Sequence, residues 1–285
     1  MSRLMLLVAL LLLTFSRCSQ DEEVDNKDEM VLIKGGNFLL GNHFELNRKN
    51  GQPVYEVVLK DFYIAPYEVT FEDYDAFCKN TIRKLPDDLG WGRDDRPVIN
   101  ISWMDVVIYC NWLSQQNGYI PAYDINRGKV EIDWEATGYR LPTEIEWEYA
   151  ALSQGQNERW SGTSVVDSLS QYANGKDTID NYLHTAPVGS FRSNRLGLYD
   201  MSGNVAEWCW NWIWSDSDSI NVYDPRGYNA FNLRAARGGG WNSNANELRC
   251  TQRKATRADL PRHDIGFRLV RSVIRQSLDP PHQQE

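Results

Sequence analysis

Three stretches of the chain place apolar side chains at helical spacing behind a capping signal. Thr70 with Asp73 opens the first, which runs toward Lys79. Ser102 with Asp105 opens the second. There Val106, Cys110 and Leu113 share one face, and Gly118 stands where such a helix stops. Thr143 with Glu146 opens the third, with Ile145, Tyr149 and Leu152 on one face. Strand patterns lie around these helices. Residues 30–40 read as a strand, a Gly-Gly turn and a second strand, and residues 55–64 alternate as another strand. Residues 119–138 read as a hairpin and residues 265–273 as a closing strand. Residues 87–97 form a polar loop with Gly and Pro punctuation. Between positions 155 and 237 the periodicity fades into loops, and a stretch that long is uncommon in a compact domain unless something pins it. Without repeats or a clear linker, residues 30–273 read as a single domain and residues 274–285 as a polar tail.

The N-terminus carries an address. Residues 1–17 read as a signal peptide: Arg3 precedes the apolar run 4–13, shorter than the roughly 20 residues that span a bilayer. Thr14-Phe15-Ser16-Arg17-Cys18 resembles a bacterial lipobox and makes Cys18 the lipidated residue. Arg17 stands where that motif carries a small residue, so plain export is the alternative. Residues 18–29 form an acidic tether. An exported lipoprotein at the bacterial outer membrane or cell surface is the expectation.

A formal net charge of −9 argues against a nucleic-acid or anionic-lipid surface, which leaves a lipid anchor as the route to a membrane. No heptad or apolar stripe suggests assembly, so a monomer is expected. Cys78, Cys110, Cys209 and Cys250 match no zinc spacing, and their pairing cannot be read from sequence. Cys78 and Cys110 sit on apolar helix faces and read as buried free thiols.

A series of local signatures runs the length of the chain. It begins with Met30-Val31-x-Ile33-x-Gly35-Gly36-x-Phe38 and Tyr67-Glu68-Val69-Thr70. It continues with Arg96-Pro97-Val98, Ser102-Trp103, Asn111-Trp112-Leu113 and Arg140-Leu141-Pro142-Thr143-Glu144-x-Glu146-Trp147-Glu148. Asp200-Met201-x-Gly203-Asn204-Val205-x-Glu207-Trp208, Arg237-Gly238-Gly239-Gly240-Trp241 and Gly266-Phe267-Arg268 complete it. In this order the motifs resemble the formylglycine-generating-enzyme, or sulfatase-modifying-factor, family. The resemblance implies an α+β fold of the C-type-lectin-like class in its formylglycine-generating-enzyme variant, rich in loops.

That family's oxidase binds copper with two cysteines just after the glycine frame. The matching positions here hold Ser243 and Leu248, and neither offers the soft thiolate such a metal needs. A second branch uses iron held by clustered histidines, whereas His43, His184, His263 and His282 are scattered here. Neither copper nor iron is therefore expected, and no catalytic residue is assigned. The family often holds calcium through hard oxygen ligands. The matching positions are Asn174, Gly175, Asp180 and Tyr182 for one ion, and Asp200, Gly203, Val205 and Glu207 for another. Turn capping by Asp200 and a buried, hydrogen-bonded Glu207 is the alternative reading.

Within about 237–270 a polar run lies between two rigid ends, and it is similar to the diversified segment of retroelement variable proteins, a non-catalytic branch of the family. The resemblance implies that Asn242, Ser243, Asn244, Asn246, Thr251, Thr256, Ala258, Asp259, Leu260, His263 and Asp264 line a ligand site. Asn, Ser and Thr supply adaptable hydrogen bonds in such a site. Trp241 is either its anchor or a core residue beneath the loops. The expected function is binding of an unknown ligand, for which a protein and a glycan fit equally. The alternatives are an enzyme of the family and an inert surface protein.

Overall fold

Each expected helix forms behind the cap read from the sequence. In α1 (Phe71–Thr81), α2 (Trp103–Gln116) and α3 (Glu144–Ala151), the hydroxyls of Thr70, Ser102 and Thr143 accept from the backbone three residues on. Asp73, Asp105 and Glu146 accept in return from the cap backbone, which satisfies the exposed N–H groups of each first turn. These coordinates are a computed structural model that describes residues 30–41, 55–176, 180–213 and 232–274. The expected signal peptide, Cys18, the expected acidic tether and residues 275–285 lie outside the described residues. Among the described residues no helix is long and apolar enough to cross a membrane.

The strands follow the sequence less closely. β1 (Val31–Ile33) and β2 (Asn37–Leu40) flank the Gly-Gly turn but join different sheets. Residues 55–64 are likewise two strands, β3 (Tyr55–Val58) and β4 (Phe62–Ile64), not one: β2 pairs with β3 and β1 with β4. The chain changes sheet where Gly36 and Leu59 exchange backbone hydrogen bonds of 3.1 and 2.9 Å. A Cβ on Gly35 would stand 2.2 Å from the Leu59 carbonyl oxygen, so the close approach requires glycine. The hairpin forms as β5 (Tyr123–Asn126) and β6 (Lys129–Ile132), turned by Arg127 and Gly128 at φ 50° and 83°.

Beyond α3 come β8 (Ala206–Trp212), β9 (Leu233–Arg237), β10 (Arg253–Arg257), β11 (Ile265–Gly266) and β12 (Val270–Ser272); β7 (Tyr139–Arg140) precedes it. One four-stranded sheet has the order β1-β4-β12-β7, so strands from both ends of the described chain meet in it. The other has the order β10-β9-β8-β11, with β11 parallel to β8. The expected closing strand 265–273 is thus two strands in two sheets. Hydrogen bonds from Val69 N to Phe267 O and from Ala65 N to Leu269 O carry the chain between them.

The stretch expected to be loops contains β8, and the polar segment contains β10. Both escape periodicity for physical reasons. β8 is buried on both faces: Trp208 and Trp210 enter the core of α1 and α2, while Cys209 packs into the core of α3, β1 and β4. A strand covered on both faces shows no alternation. β10 carries Arg253, Lys254 and Arg257 and shows no apolar face. Helix α3 departs in the opposite sense. It is buried nearly all round, and Glu144, Glu146 and Glu148 are among its buried residues.

Those glutamates are neutralised by arginine. Arg140 holds Glu146 at 2.8 and 2.6 Å. Arg253 holds Glu144 at 2.6 and 2.9 Å. Arg237 reaches Glu144 and Glu148 and donates to the Cys250 carbonyl at 2.8 Å. Across the sheet, Arg268 grips Glu207 at 2.7 and 2.6 Å with both side chains fully buried. Replacing Arg268 with alanine leaves Glu207 buried without its cation, so urea unfolding is expected to show a loss of about 3–5 kcal/mol. Arg257→Ala breaks the exposed pair with Asp259 and is expected to leave the midpoint unchanged. Equal effects of the two would remove the buried pair from its structural role.

Candidate functional site

The polar segment leaves β9 through Gly238 and Gly239, at φ 87° and 68°. Gly240 then closes a turn: its carbonyl accepts from Ser243 N at 2.8 Å and places Trp241 and Asn242 at the corner. Beyond that turn the expected ligand positions divide. Asn246, Asp259, Leu260 and His263 are exposed, and Asn242 and Asn244 are half-buried.

Ser243, Thr251, Thr256, Ala258 and Asp264 are buried, so the expectation that they line an open face is corrected. Ser243 Oγ accepts from Gly240 N and stabilises the turn. Thr256 lies within the sheet opposite Arg234, and Ala258 packs into the core beside α2. Asp264 is a clamp: it accepts from Lys254 at 3.0 Å and from Arg262 twice at 2.8 Å. Burial pushes its carboxyl up, but the Arg262 hydrogen bond and the Lys254 ammonium outweigh this and hold it at about 2.

Trp241 belongs to a ring cluster at the surface. Its indole packs edge-on to Trp91 at 5.1 Å between centroids, with the planes 80° apart. His184 stacks on Trp91 at 4.0 Å and 7°, and His263 lies 5.6 Å from Trp241. Trp241 Nε1 donates to the His263 carbonyl at 3.2 Å, which ties the two arms of the segment together. Trp91, His184 and Trp241 are half-buried. Sequence reasoning singled out Trp241 and His263 but missed Trp91 and His184. Those two sit in separate polar loops, and no spacing signal connects them.

Ser243 and Leu248 face each other beneath the glycine frame. A Cβ on Gly239 would stand 3.2 Å from Ser243 Cβ and 3.0 Å from Leu248 Cδ2. Leu248 is fully buried with Trp160, Leu169 and Ala173. Cys78, Cys110, Cys209 and Cys250 are free and buried, as read for the first two. Burial pushes the Cys110 and Cys250 thiols up, away from the thiolate.

The first set of candidate calcium ligands fits in part. Asn174 Oδ1 is a buried oxygen without a partner. Asp180 beside it accepts from Gly175 N at 3.2 Å and Tyr182 N at 2.9 Å. Among the described residues no three His, Cys, Asp or Glu side chains converge as metal ligands, so an ion there would draw mainly on amide and carbonyl oxygens. In the second set Glu207 is spent, because its oxygens accept from Arg268 and from Trp147 Nε1 at 2.7 Å. Asp200 accepts from Gly189 N and keeps Oδ1 buried without a partner. Burial, with Asp200 and Glu207 nearby, pushes the neighbouring Glu68 carboxyl well above its usual range, and burial raises Asp200 to about 6. These carboxyls and Arg268 form a structural knot: Glu68 accepts from Asn204 Nδ2 at 2.7 Å and from Val205 N at 3.2 Å.

Comparison with known proteins accounts for this arrangement. Residues 14–273 match the sulfatase-modifying factor enzyme 1-like domain. The chain is 32% identical over 287 residues to the chaperone protein LppX of Paenibacillus barcinonensis, across 90% of this chain and 94% of that protein. It is 27% identical over 302 residues to the formylglycine-generating enzyme of Mus musculus, across 85% of this chain and 74% of that protein. Among solved structures, Treponema denticola variable protein 1 superposes with a TM-score of 0.71 at 29% identity, covering 85% of this chain and 94% of that one. The fold is the C-type-lectin-like α+β fold in its formylglycine-generating-enzyme variant, and the chain belongs to the formylglycine-generating-enzyme, or sulfatase-modifying-factor, family.

Proposed function

We propose that this protein is an exported, lipid-anchored ligand-binding member of the family and not an oxidase. Its binding face is the ring cluster with the half-buried Asn242 and Asn244 and the exposed Asn246, Asp259, Leu260 and His263, diversified by a retroelement. One observation carries this reading. The two positions that match the oxidase's copper cysteines are a buried serine and a buried leucine, while loops of the same segment carry Trp241, His263 and the amides of Asn242 and Asn246 to the surface. A site without a thiolate, built from aromatic and amide groups, suits recognition and not redox chemistry. The likeness to a Treponema variable protein supports it, and so does the relative named as a chaperone. Calcium at Asn174 and Asp180 is part of the proposal, supported by the unpartnered Asn174 oxygen. The ion would order the loop that carries His184.

The gene's neighbourhood tests diversification. A near-copy of the segment's coding sequence beside a reverse transcriptase, differing at adenines that fall in the exposed codons, is expected. Differences spread evenly over buried and exposed codons would count against it. A chelator added to calcium-loaded protein is expected to lower the melting midpoint, and Asp180→Asn to abolish that shift; an unchanged midpoint removes calcium from the structure.

The role of Asp264 can be separated by pH. Its depressed carboxyl contributes stability that is present above the usual carboxylate range and lost as pH falls toward 2. Asp264→Asn is therefore expected to destabilise the protein at pH 7 by on the order of 1 kcal/mol, since Arg262 and Lys254 are half-exposed. The gap should begin to narrow below about pH 4 and close as pH nears 2. A gap that persists into acid would mean that Asp264 does not act through its ion pairs.

A further inference from the structure

Resting on the ligand-binding reading above, we infer that the ligand of this face is a neutral saccharide, with one pyranose ring seated on the Trp91–Trp241 corner. Four loops converge there and bring two indoles, two imidazoles and an amide side chain to one small area of surface. The indoles of Trp91 and Trp241 meet edge to face, centroids 5.1 Å and planes 80° apart, so their uncovered faces stand nearly at right angles, while His184 covers one face of Trp91. Both remain half-exposed, and neither is among the fully buried residues of the cores.

The polar groups beside the rings are free to serve a ligand. Among the described residues, the ring nitrogens of His184 and His263 and the amide of Asn242 make no hydrogen bond within the chain. A pyranose has an apolar C–H face, which stacks on an aromatic ring, and a rim of hydroxyls that both donate and accept. Imidazole nitrogens and a primary amide match that rim, because they set planar hydrogen-bonding groups beside the rings. Aromatic rings with a few placed polar groups are the usual lining of a small-ligand site.

Charge argues for a neutral ligand. Four cations of the segment are held by carboxylates: Arg253 by Glu144, Lys254 and Arg262 by Asp264, and Arg257 by Asp259. These groups therefore present no open cationic fork for a phosphate or carboxylate.

A printed array of bacterial, plant and animal glycans, probed with the purified protein, tests the inference. The best-bound saccharide is then titrated free in solution against tryptophan fluorescence. Binding of at least one neutral saccharide is expected, with a change in emission. Trp91→Ala and Trp241→Ala should each weaken it on the order of tenfold or more. Trp241→Phe, which keeps an aromatic face, should weaken it less, and His263→Ala, at an exposed position, removes a hydrogen-bonding ring without disturbing a core. Circular dichroism confirms that each variant is folded; if the alanine variants do not fold, Trp241→Phe and His263→Ala decide the matter by weakening or sparing binding. The inference is overturned if no saccharide binds, or if binding survives loss of both indole faces. Capture of a protein ligand instead would discard the saccharide while leaving the ligand-binding reading intact, since the pattern of diversified codons tests that reading independently.

Discussion

Buried guanidinium groups hold this chain together. A fold rich in loops must satisfy many backbone carbonyls away from water, and a carbonyl left alone in the interior is costly. Arg268 answers that demand with all five of its donors: two to Glu207, and the rest to the carbonyls of Ala65, Pro66 and Tyr199. One side chain from the end of the described chain thereby ties together the approach to α1, the loop before β8 and β8 itself. Arg237 does similar work between α3 and the Cys250 carbonyl. Such pairs contribute less net stability than their geometry suggests, because both charges must be stripped of water. Their value here is that removing either partner leaves an uncompensated charge inside, so the loops are held in one arrangement.

That rigidity decides which part of the segment stays at the surface. The glycine frame, with its backbone pressed against Trp147 and the Glu247 carbonyl, is pinned by Arg237 at one end. Asp264 clamps the other end through Lys254 and Arg262. Between the clamps the chain is free to vary at its surface without disturbing a core. Beneath the frame Ser243 and Leu248 are buried, while the rings of Trp241 and His263 lie at the surface. Two levels of one segment thus differ: the lower is packed into the interior, and the upper is at the surface.

The candidate site was only half legible in advance. Trp241, His263, Asn242, Asn244 and Asn246 stand out because a polar run between two glycine-and-aromatic ends is unusual in a folded domain. Ser243, Thr251, Thr256, Ala258 and Asp264 look the same on paper, since small polar residues serve buried turns and sheets as readily as surfaces. Trp91 and His184 carried no mark at all. Each is a single aromatic in a polar loop, and the stack between them exists only because two loops distant in sequence meet.

What the sequence determined by itself is local or motif-borne: the three capped helices, the hairpin, the family and hence the fold. Capping depends on residues three apart, and a turn such as Arg127-Gly128 on its own backbone angles, so neighbours in the chain suffice to specify them. Tertiary structure alone decided which sheet each strand joined, that β8 was a strand, and which polar residues were buried. Burial and strand partnership are properties of what lies across from a residue, and for Arg268 and Glu207, or for Trp91 and His184, that neighbour is far away in sequence.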